Sequence, residues 1–203
     1  MRKMMLIVNP NAGRGSFRIG FVDAVKKLSD AEIYPTPYFT KERDDATRLA
    51  ARYAADYDIV ACMGGDGTLS EVVAGLMTLD NPPPIGYFPL GTTNDVASTL
   101  GLPKGSLPAA AETIINGTPH PFDIGLFGED KYFAYVAAFG AFTEVSYATP
   151  QDQKRVLGRL AYIIQGAASL PNIEPHKMRV EYDDGAIEGS FLYGGFSNST
   201  SIA

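Results

Sequence analysis

Residues 58–68 read Asp-Ile-Val-Ala-Cys-Met-Gly-Gly-Asp-Gly-Thr, and this stretch decides the fold. Its first half is a short apolar run, which is typical of a strand buried on both faces of a parallel sheet. Its second half, Gly64 to Thr68, is a glycine-rich turn, and residues 68–79 then follow a helical pattern. A strand that runs through such a turn into a helix predicts an α/β fold with a ligand site at the turn.

The same order of strand, loop and helix recurs along the first half of the chain. Further strands are predicted at residues 4–8, 34–39 and 85–89. Further helices are predicted at residues 17–28, 44–57, 95–100 and 107–116. Repeated units of this kind form a parallel sheet covered by helices, so we predict an α/β domain at residues 1–121.

The pattern changes after Pro121. Strands are predicted at residues 122–127 and 132–139, a helix at 152–170, and a hairpin from two strands, 177–183 and 186–193, around Asp184-Gly185. We therefore predict a second, β-rich domain at residues 122–203, which forms part of an antiparallel β-sandwich. The chain ends in a polar loop without a closing helix. Our interpretation is that the second domain is incomplete, and the open strand edges that this would leave favour a homodimer.

Composition excludes several classes of protein. Of the 203 residues, 45% are hydrophobic and 20% are charged, which is typical of a globular chain. The formal net charge is −6 and no basic block is present, so we expect no nucleic-acid partner. One cysteine and two distant histidines do not supply a zinc site. No apolar run is long enough for a signal peptide or a membrane span, so we expect a cytoplasmic protein, compatible with peripheral contact at a membrane.

The turn from Gly64 to Thr68 carries the clearest chemical signal. Glycines allow the backbone to approach a ligand closely, and the start of the following helix favours an anion. Asp66 would repel phosphate groups unless a cation such as Mg²⁺ joined them, so Asp66 is a candidate metal ligand. The spacing of Thr68 and Glu71 also fits a capping box at the start of the helix, a structural alternative that is compatible with ligand binding.

Two further loops follow predicted strands. The first contains Asn9 to Gly13 and the second runs from Pro89 to Asp95, and both offer hydroxyl or amide groups. Asp95 fits either a helix cap or a Mg²⁺ network, the cap being the more frequent role. Neither the dinucleotide fingerprint nor a P-loop is present. Because carboxyl ends of parallel strands share one edge, the three loops together predict a nucleoside triphosphate site.

These three motifs, in this order, resemble the catalytic domain of diacylglycerol kinases, most of all the soluble bacterial lipid kinases related to sphingosine kinases. The resemblance extends over nearly the whole chain, including residues 122–125, 157–162 and 197–199. It implies an α/β nucleotide domain and a β-sandwich, with the active site between them. It also implies Mg²⁺-dependent transfer of the γ-phosphoryl group of ATP to a lipid hydroxyl at the membrane surface.

The resemblance further implies roles for individual residues. An acidic network of Asp66, Asp95 and Asp123 would act through Mg²⁺ and water, with Asp66 as metal ligand. The residues implied at the ATP site are Asn9, Pro10, Asn11, Ala12, Gly13, Thr40, Gly64, Gly65, Asp66, Gly67, Thr68, Glu71, Gly91, Thr92 and Asn94.

One departure from the family pattern lies at the C-terminus. Family members continue past this point to an acidic residue that serves as the general base, so we expect residues 1–203 alone to be inactive or weakly active. Two alternatives stay open: an NAD kinase, which shares the Gly-Gly-Asp-Gly signature, and a nucleotide-binding regulatory module without catalysis. The Asn-Pro-x-Ala-Gly opening at Asn9 and the Gly-Thr-Thr-Asn-Asp loop at Gly91 favour the lipid kinases over the NAD kinases.

Overall fold

The computed structural model describes residues 1–13, 18–129, 131–140 and 174–198. The predicted helix at residues 152–170 lies outside these ranges. Among the described residues the fold is an α/β sheet followed by small antiparallel sheets, which confirms the predicted fold class.

The central sheet has four parallel strands in the order β2-β1-β3-β4. Its strands are β1 (Arg2–Val8), β2 (Ile33–Phe39), β3 (Ile59–Gly64) and β4 (Ile85–Pro89). Alternate side chains of β1 enter two different hydrophobic clusters: Met5 and Ile7 lie in one, and Met4, Leu6 and Val8 in the other. Both faces of the strand are therefore buried, which explains why its apolar run is continuous rather than alternating.

Helices cover both faces of this sheet. They are α1 (Phe21–Asp30), α2 (Asp45–Tyr53), α3 (Asp66–Leu76), α4 (Asp95–Thr99) and α5 (Leu107–Asn116). The buried side chains of α1 and α5 join one cluster, and those of α2, α3 and α4 join the other. The predicted doubly covered sheet is thus confirmed, and its core lies between the sheet and each helix layer.

Several helix ends differ from the predicted ones for local reasons. Helix α1 begins at Phe21 because Gly20, with φ 76°, holds the left-handed conformation just before it. Helix α2 ends at Tyr53 and continues as a short 3-10 turn, Ala54–Asp56. Helix α3 begins two residues early, at Asp66, so that part of the glycine turn belongs to the helix.

The strands that follow form three small sheets. The pairs are β5 (Gly125–Phe127) with β6 (Lys131–Phe133), β7 (Val136–Gly140) with β10 (Tyr193–Ser197), and β8 (His176–Tyr182) with β9 (Gly185–Phe191). The single strand predicted at residues 132–139 is two strands, because the chain bends between Phe133 and Val136. The hairpin turn is Asp183-Asp184 rather than Asp184-Gly185, since Gly185 pairs with Tyr182.

The chain divides into two compact units, one of Met1–Tyr135 with Ser197–Ala203 and one of Val136–Phe196. The boundary predicted after residue 121 stays a prediction. Within the described ranges, no helix combines the length and the apolar character that crossing a membrane requires.

Two glycines of α3 provide a matched test of this packing. A Cβ atom at Gly75 would lie 2.4 Å from the Thr47 carbonyl oxygen of α2, whereas one at Gly67 would meet no atom of the described residues within 4 Å. We expect Gly75→Ala to lower the free energy of unfolding by about 1–3 kcal/mol, as overpacking does. Gly67→Ala should raise it by up to about 1 kcal/mol, because alanine favours a helix. Urea unfolding without nucleotide measures both changes in free energy. Equal effects of the two substitutions would contradict this packing.

Candidate functional site

The predicted loops meet at the carboxyl edge of the parallel sheet. Three backbone N–H groups extend the strand ladder beyond the strand ends: Asn9 donates to the Met63 carbonyl at 2.9 Å, Leu90 to Gly64 at 2.7 Å and Thr40 to Val8 at 2.9 Å. The loops after β1, β3 and β4, together with Thr40 after β2, are therefore held side by side. This is the edge at which parallel sheets bind ligands.

Asn9 joins the first loop to α3. Its Nδ2 atom donates to Thr68 Oγ1 at 3.0 Å, and its Oδ1 atom accepts the Asn11 backbone N–H at 3.0 Å. The first bond connects two motifs that are 59 residues apart in the chain, and the second closes a turn over Pro10. Later in this loop Gly13 adopts φ 56°, a left-handed conformation that favours glycine, while Ala12 packs against the cluster beside α1.

Close approach explains three of the glycines at this edge. A Cβ at Gly64 would lie 2.6 Å from Thr68 Oγ1. Gly65 and Gly91 face one another, and a Cβ on Gly91 would lie 2.8 Å from the Gly65 Cα. Gly67 differs, since it is exposed, helical and bordered by open space. Neither packing nor backbone conformation accounts for glycine at that position.

Asp66 bonds to the start of α4. Its carboxylate oxygens accept the backbone N–H of Asp95 at 3.1 Å and of Val96 at 3.3 Å. Asn94, which precedes α4, has φ 50° and makes no side-chain cap bond to the helix. Asp66 thus caps α4 from the neighbouring helix, which is the structural role that the sequence analysis considered for Asp95. Asp95 itself is the first residue of α4 and not its cap.

Asn94 organises the third loop from within. Its side chain is buried, its Oδ1 accepts the Gly91 N–H at 2.7 Å, and its Nδ2 donates to the Gly91 carbonyl at 2.8 Å. Thr92, at the tip of the loop, is exposed. The loop is therefore rigid at its base and presents Thr92 outward.

The predicted capping box at Thr68 and Glu71 is wrong. Thr68 is the third residue of α3 and bonds to Asn9, while Glu71 Oε2 accepts the Ala46 N–H of α2 at 3.3 Å. The box fails because α3 begins at Asp66, which places Thr68 inside the helix. Glu71 instead caps α2, whose own preceding residue, Asp44, is left-handed at φ 63° and makes no cap bond.

Two carboxylates lie close together at this edge. Burial, and then the negative charge of Asp66, raises the pKa of Asp95, while Thr93 and Lys104 oppose that rise. Within the described residues, no group of three or more Asp, Glu, His or Cys side chains could hold a metal ion. The Asp66–Asp95 pair is thus the acidic centre of this edge.

Asp123 does not join that pair through any hydrogen bond within the described ranges. Its side chain is exposed, just before β5, and its backbone carbonyl accepts a hydrogen bond from Asn198 Nδ2. The structure therefore brings together Asp66 and Asp95, but it records no such link between either carboxylate and Asp123.

Two residues near the site escaped the sequence analysis. The Tyr87 hydroxyl of β4 donates to Asn94 Oδ1 at 3.4 Å, and burial is the largest cause of its raised pKa. Lys104 Nζ donates to Ser98 Oγ at 2.7 Å and to the Thr93 carbonyl at 3.4 Å. Tyr87 is a hydroxyl-bearing residue within the buried apolar run of β4, which was a usable signal, whereas no motif points to Lys104.

The cap provided by Asp66 can be tested through stability alone. Asp66→Ala removes both acceptors of the α4 N–H groups, and we expect it to lower the free energy of unfolding by about 0.5–2 kcal/mol. Asp80→Ala, on an exposed residue of the same chain, is the control and should change it little. Urea unfolding without metal or nucleotide is the measurement. Equal stability of the two variants would show that the cap contributes nothing.

Comparison with known proteins identifies the family. The diacylglycerol kinase catalytic domain matches residues 3–127. A diacylglycerol kinase of Bacillus subtilis is 38% identical over 193 residues, which cover 95% of this chain and 63% of the relative. One of Staphylococcus epidermidis is 38% identical over 192 residues, which cover 94% and 60%. The chain thus spans less than two thirds of the length of these relatives.

Solved structures agree with the sequence relatives. A crystal structure of a diacylglycerol kinase from Bacillus anthracis aligns with a TM-score of 0.77 and 27% identity, covering 98% of this chain and 65% of that one. A second structure from the same organism aligns with a TM-score of 0.81 and 29% identity, covering 99% and 66%. The matched residues 3–127 contain all three loops of the edge described above. The chain belongs to the diacylglycerol kinase catalytic domain family.

Proposed function

We propose that this chain is an ATP-dependent lipid kinase, which transfers the γ-phosphoryl group of ATP to the hydroxyl of a diacylglycerol-like lipid at a membrane surface. Family membership supports the reaction class, and the edge formed by three loops supports the nucleotide. The single observation that carries the proposal is Gly67, an exposed glycine in the first turn of α3 whose missing side chain would contact none of the described residues. A phosphate group there would meet backbone N–H groups with no side chain in the way.

The nucleotide would lie across residues from all three loops. Asn9 to Gly13 and Gly65 to Glu71 would border the phosphates, Thr92 would offer a hydroxyl from the rigid third loop, and Thr40 would lie at the neighbouring strand end. Asn9, Thr68 and Asn94 already hold the loops together, and Glu71 caps α2, so we assign all four to shaping the site.

The residues present fit a magnesium ion. Each Asp66 oxygen accepts a single N–H bond, which leaves lone pairs on both. Mg²⁺ is commonly held by one or two carboxylates together with substrate phosphates and water, so Asp66 and Asp95 suffice on the protein side. When bound, the ion would neutralise charge on the phosphate oxygens.

The proposed reaction is a direct phosphoryl transfer. The lipid hydroxyl oxygen forms a bond to the γ-phosphorus, the bond from that phosphorus to the bridging oxygen breaks, and ADP leaves. A carboxylate accepts the hydroxyl proton or orients the hydroxyl, and Asp123 is our candidate within this chain for contact with the acceptor.

Nucleotide binding tests the first half of the proposal. Gly67→Ala places a methyl group where the phosphates would lie, so we expect the dissociation constant for Mg²⁺-ATP to rise at least tenfold, although the same change stabilises the fold. Isothermal titration calorimetry measures the affinity. Gly189→Ala, at an exposed glycine of β9 where a Cβ would make only ordinary contacts, is the control for binding. Unchanged affinity in Gly67→Ala would remove the main support for the site.

Transfer of label from [γ-³²P]ATP to diacylglycerol in mixed vesicles tests the second half. The assay uses residues 1–203 alone and also fused to the remaining C-terminal segment of the Bacillus subtilis relative. In the fused chain we expect labelled lipid that depends on Mg²⁺ and falls at least 100-fold in Asp66→Asn, which keeps the shape of the side chain and one of the two cap acceptors, but not in Asp80→Asn. ATP binding without labelled lipid in either chain would favour a nucleotide-binding module, and labelled NADP from added NAD would favour an NAD kinase.

A further inference from the structure

A single asparagine holds the chain where it returns to the first unit. Directly after β10, the Asn198 backbone N–H donates to the Tyr135 carbonyl at 2.8 Å. Its side-chain Nδ2 donates to the Ala134 carbonyl at 3.3 Å and to the Asp123 carbonyl. Three backbone carbonyls from two separate segments therefore converge on one residue.

These segments are also held by hydrophobic packing. Phe122, Ile124 and Tyr135 pack against the hydrophobic cluster beside α3, and Ala134 is itself buried in that cluster. Asp123 lies between two packed residues, and its own side chain is exposed. Packing holds its neighbours and the Asn198 amide donates to the carbonyl of Asp123, so both interactions restrain its backbone.

We infer that Asn198 is a positioning residue for Asp123, which it holds in place by donating its side-chain amide to the Asp123 carbonyl. The inference rests on the proposed function in one respect: Asp123 matters for catalysis only if it contacts the acceptor. The anchoring of residues 122–124 by Asn198 stands on the hydrogen bonds alone.

The chemistry of the amide explains why asparagine is needed here. Its NH₂ group has two N–H donors, which serve the two carbonyls of Asp123 and Ala134. Aspartate has nearly the same shape but only acceptor oxygens when ionised, so it would face two carbonyl oxygens without a proton between them. Asn198→Asp is therefore an isosteric change that reverses the interaction.

Hydrogen exchange measured by mass spectrometry tests the anchor. In Asn198→Asp we expect amides of residues 122–126 and 133–136 to exchange at least tenfold faster, while those of β1 and β3 keep their protection. The matched control is Asn116→Asp, at an exposed asparagine that ends α5. If Asn198→Asp unfolds the whole chain, so that β1 and β3 also lose protection, Asn198→Ala replaces it. Unchanged exchange in residues 122–126 would overturn the inference.

Kinetics of the fused chain separate positioning from general stability. We expect kcat for lipid phosphorylation to fall at least tenfold in Asn198→Asp. KM for ATP should stay within twofold of the parent value, because among the described residues Asn198 bonds to none of the three nucleotide loops. Asn198→Gln, which keeps both donors, should recover part of kcat. Faster exchange with unchanged kcat would overturn the positioning role. Absence of labelled lipid in the parent chain would instead refute the proposed function. The exchange result would still decide whether Asn198 anchors residues 122–124.

Discussion

The candidate site depends on two carboxylates of α3 that bond to the starts of two neighbouring helices. Helices α2 and α4 both begin after left-handed residues, Asp44 and Asn94, that make no side-chain cap bond. Glu71 and Asp66 accept the free N–H groups at those two helix starts. Because unpaired donors at a helix start are costly when they are partly buried, the positions of α2 and α4 depend on two acids five residues apart on a third helix.

This arrangement gives Asp66 two roles that an alanine substitution cannot separate. As a cap it fixes the start of α4 and, through it, the third loop, and as a candidate metal ligand it would use the lone pairs that remain. An alanine at this position would lose both functions, whereas asparagine keeps one side-chain acceptor and the shape of the residue. The loss caused by alanine therefore reports on loop geometry as much as on chemistry, and the isosteric variant is the informative one.

The sequence predicted the parts of this structure that depend on local pattern. Continuous apolar runs located β1, β3 and β4, and the shared carboxyl edge of parallel strands predicted that the three loops lie together. It failed where a partner lies far along the chain. Glu71 fits a capping box by spacing, yet its carboxylate accepts the backbone N–H of Ala46. Asp66 likewise accepts the N–H groups of residues 29 and 30 positions away. Spacing rules describe neighbours within a helix and contain no information about such contacts.

The glycines of the motifs show another difference that the sequence pattern cannot reveal. In sequence, Gly64, Gly65 and Gly67 appear equivalent, and all three favour a phosphate loop. In the structure, Gly64 makes room for Thr68 and Gly65 makes room for Gly91, so the fold alone requires them. Only Gly67 has open space where a side chain would be, with no conformational need for glycine. Because the fold does not account for Gly67, that residue is stronger physical evidence for a ligand than the number of glycines in the motif.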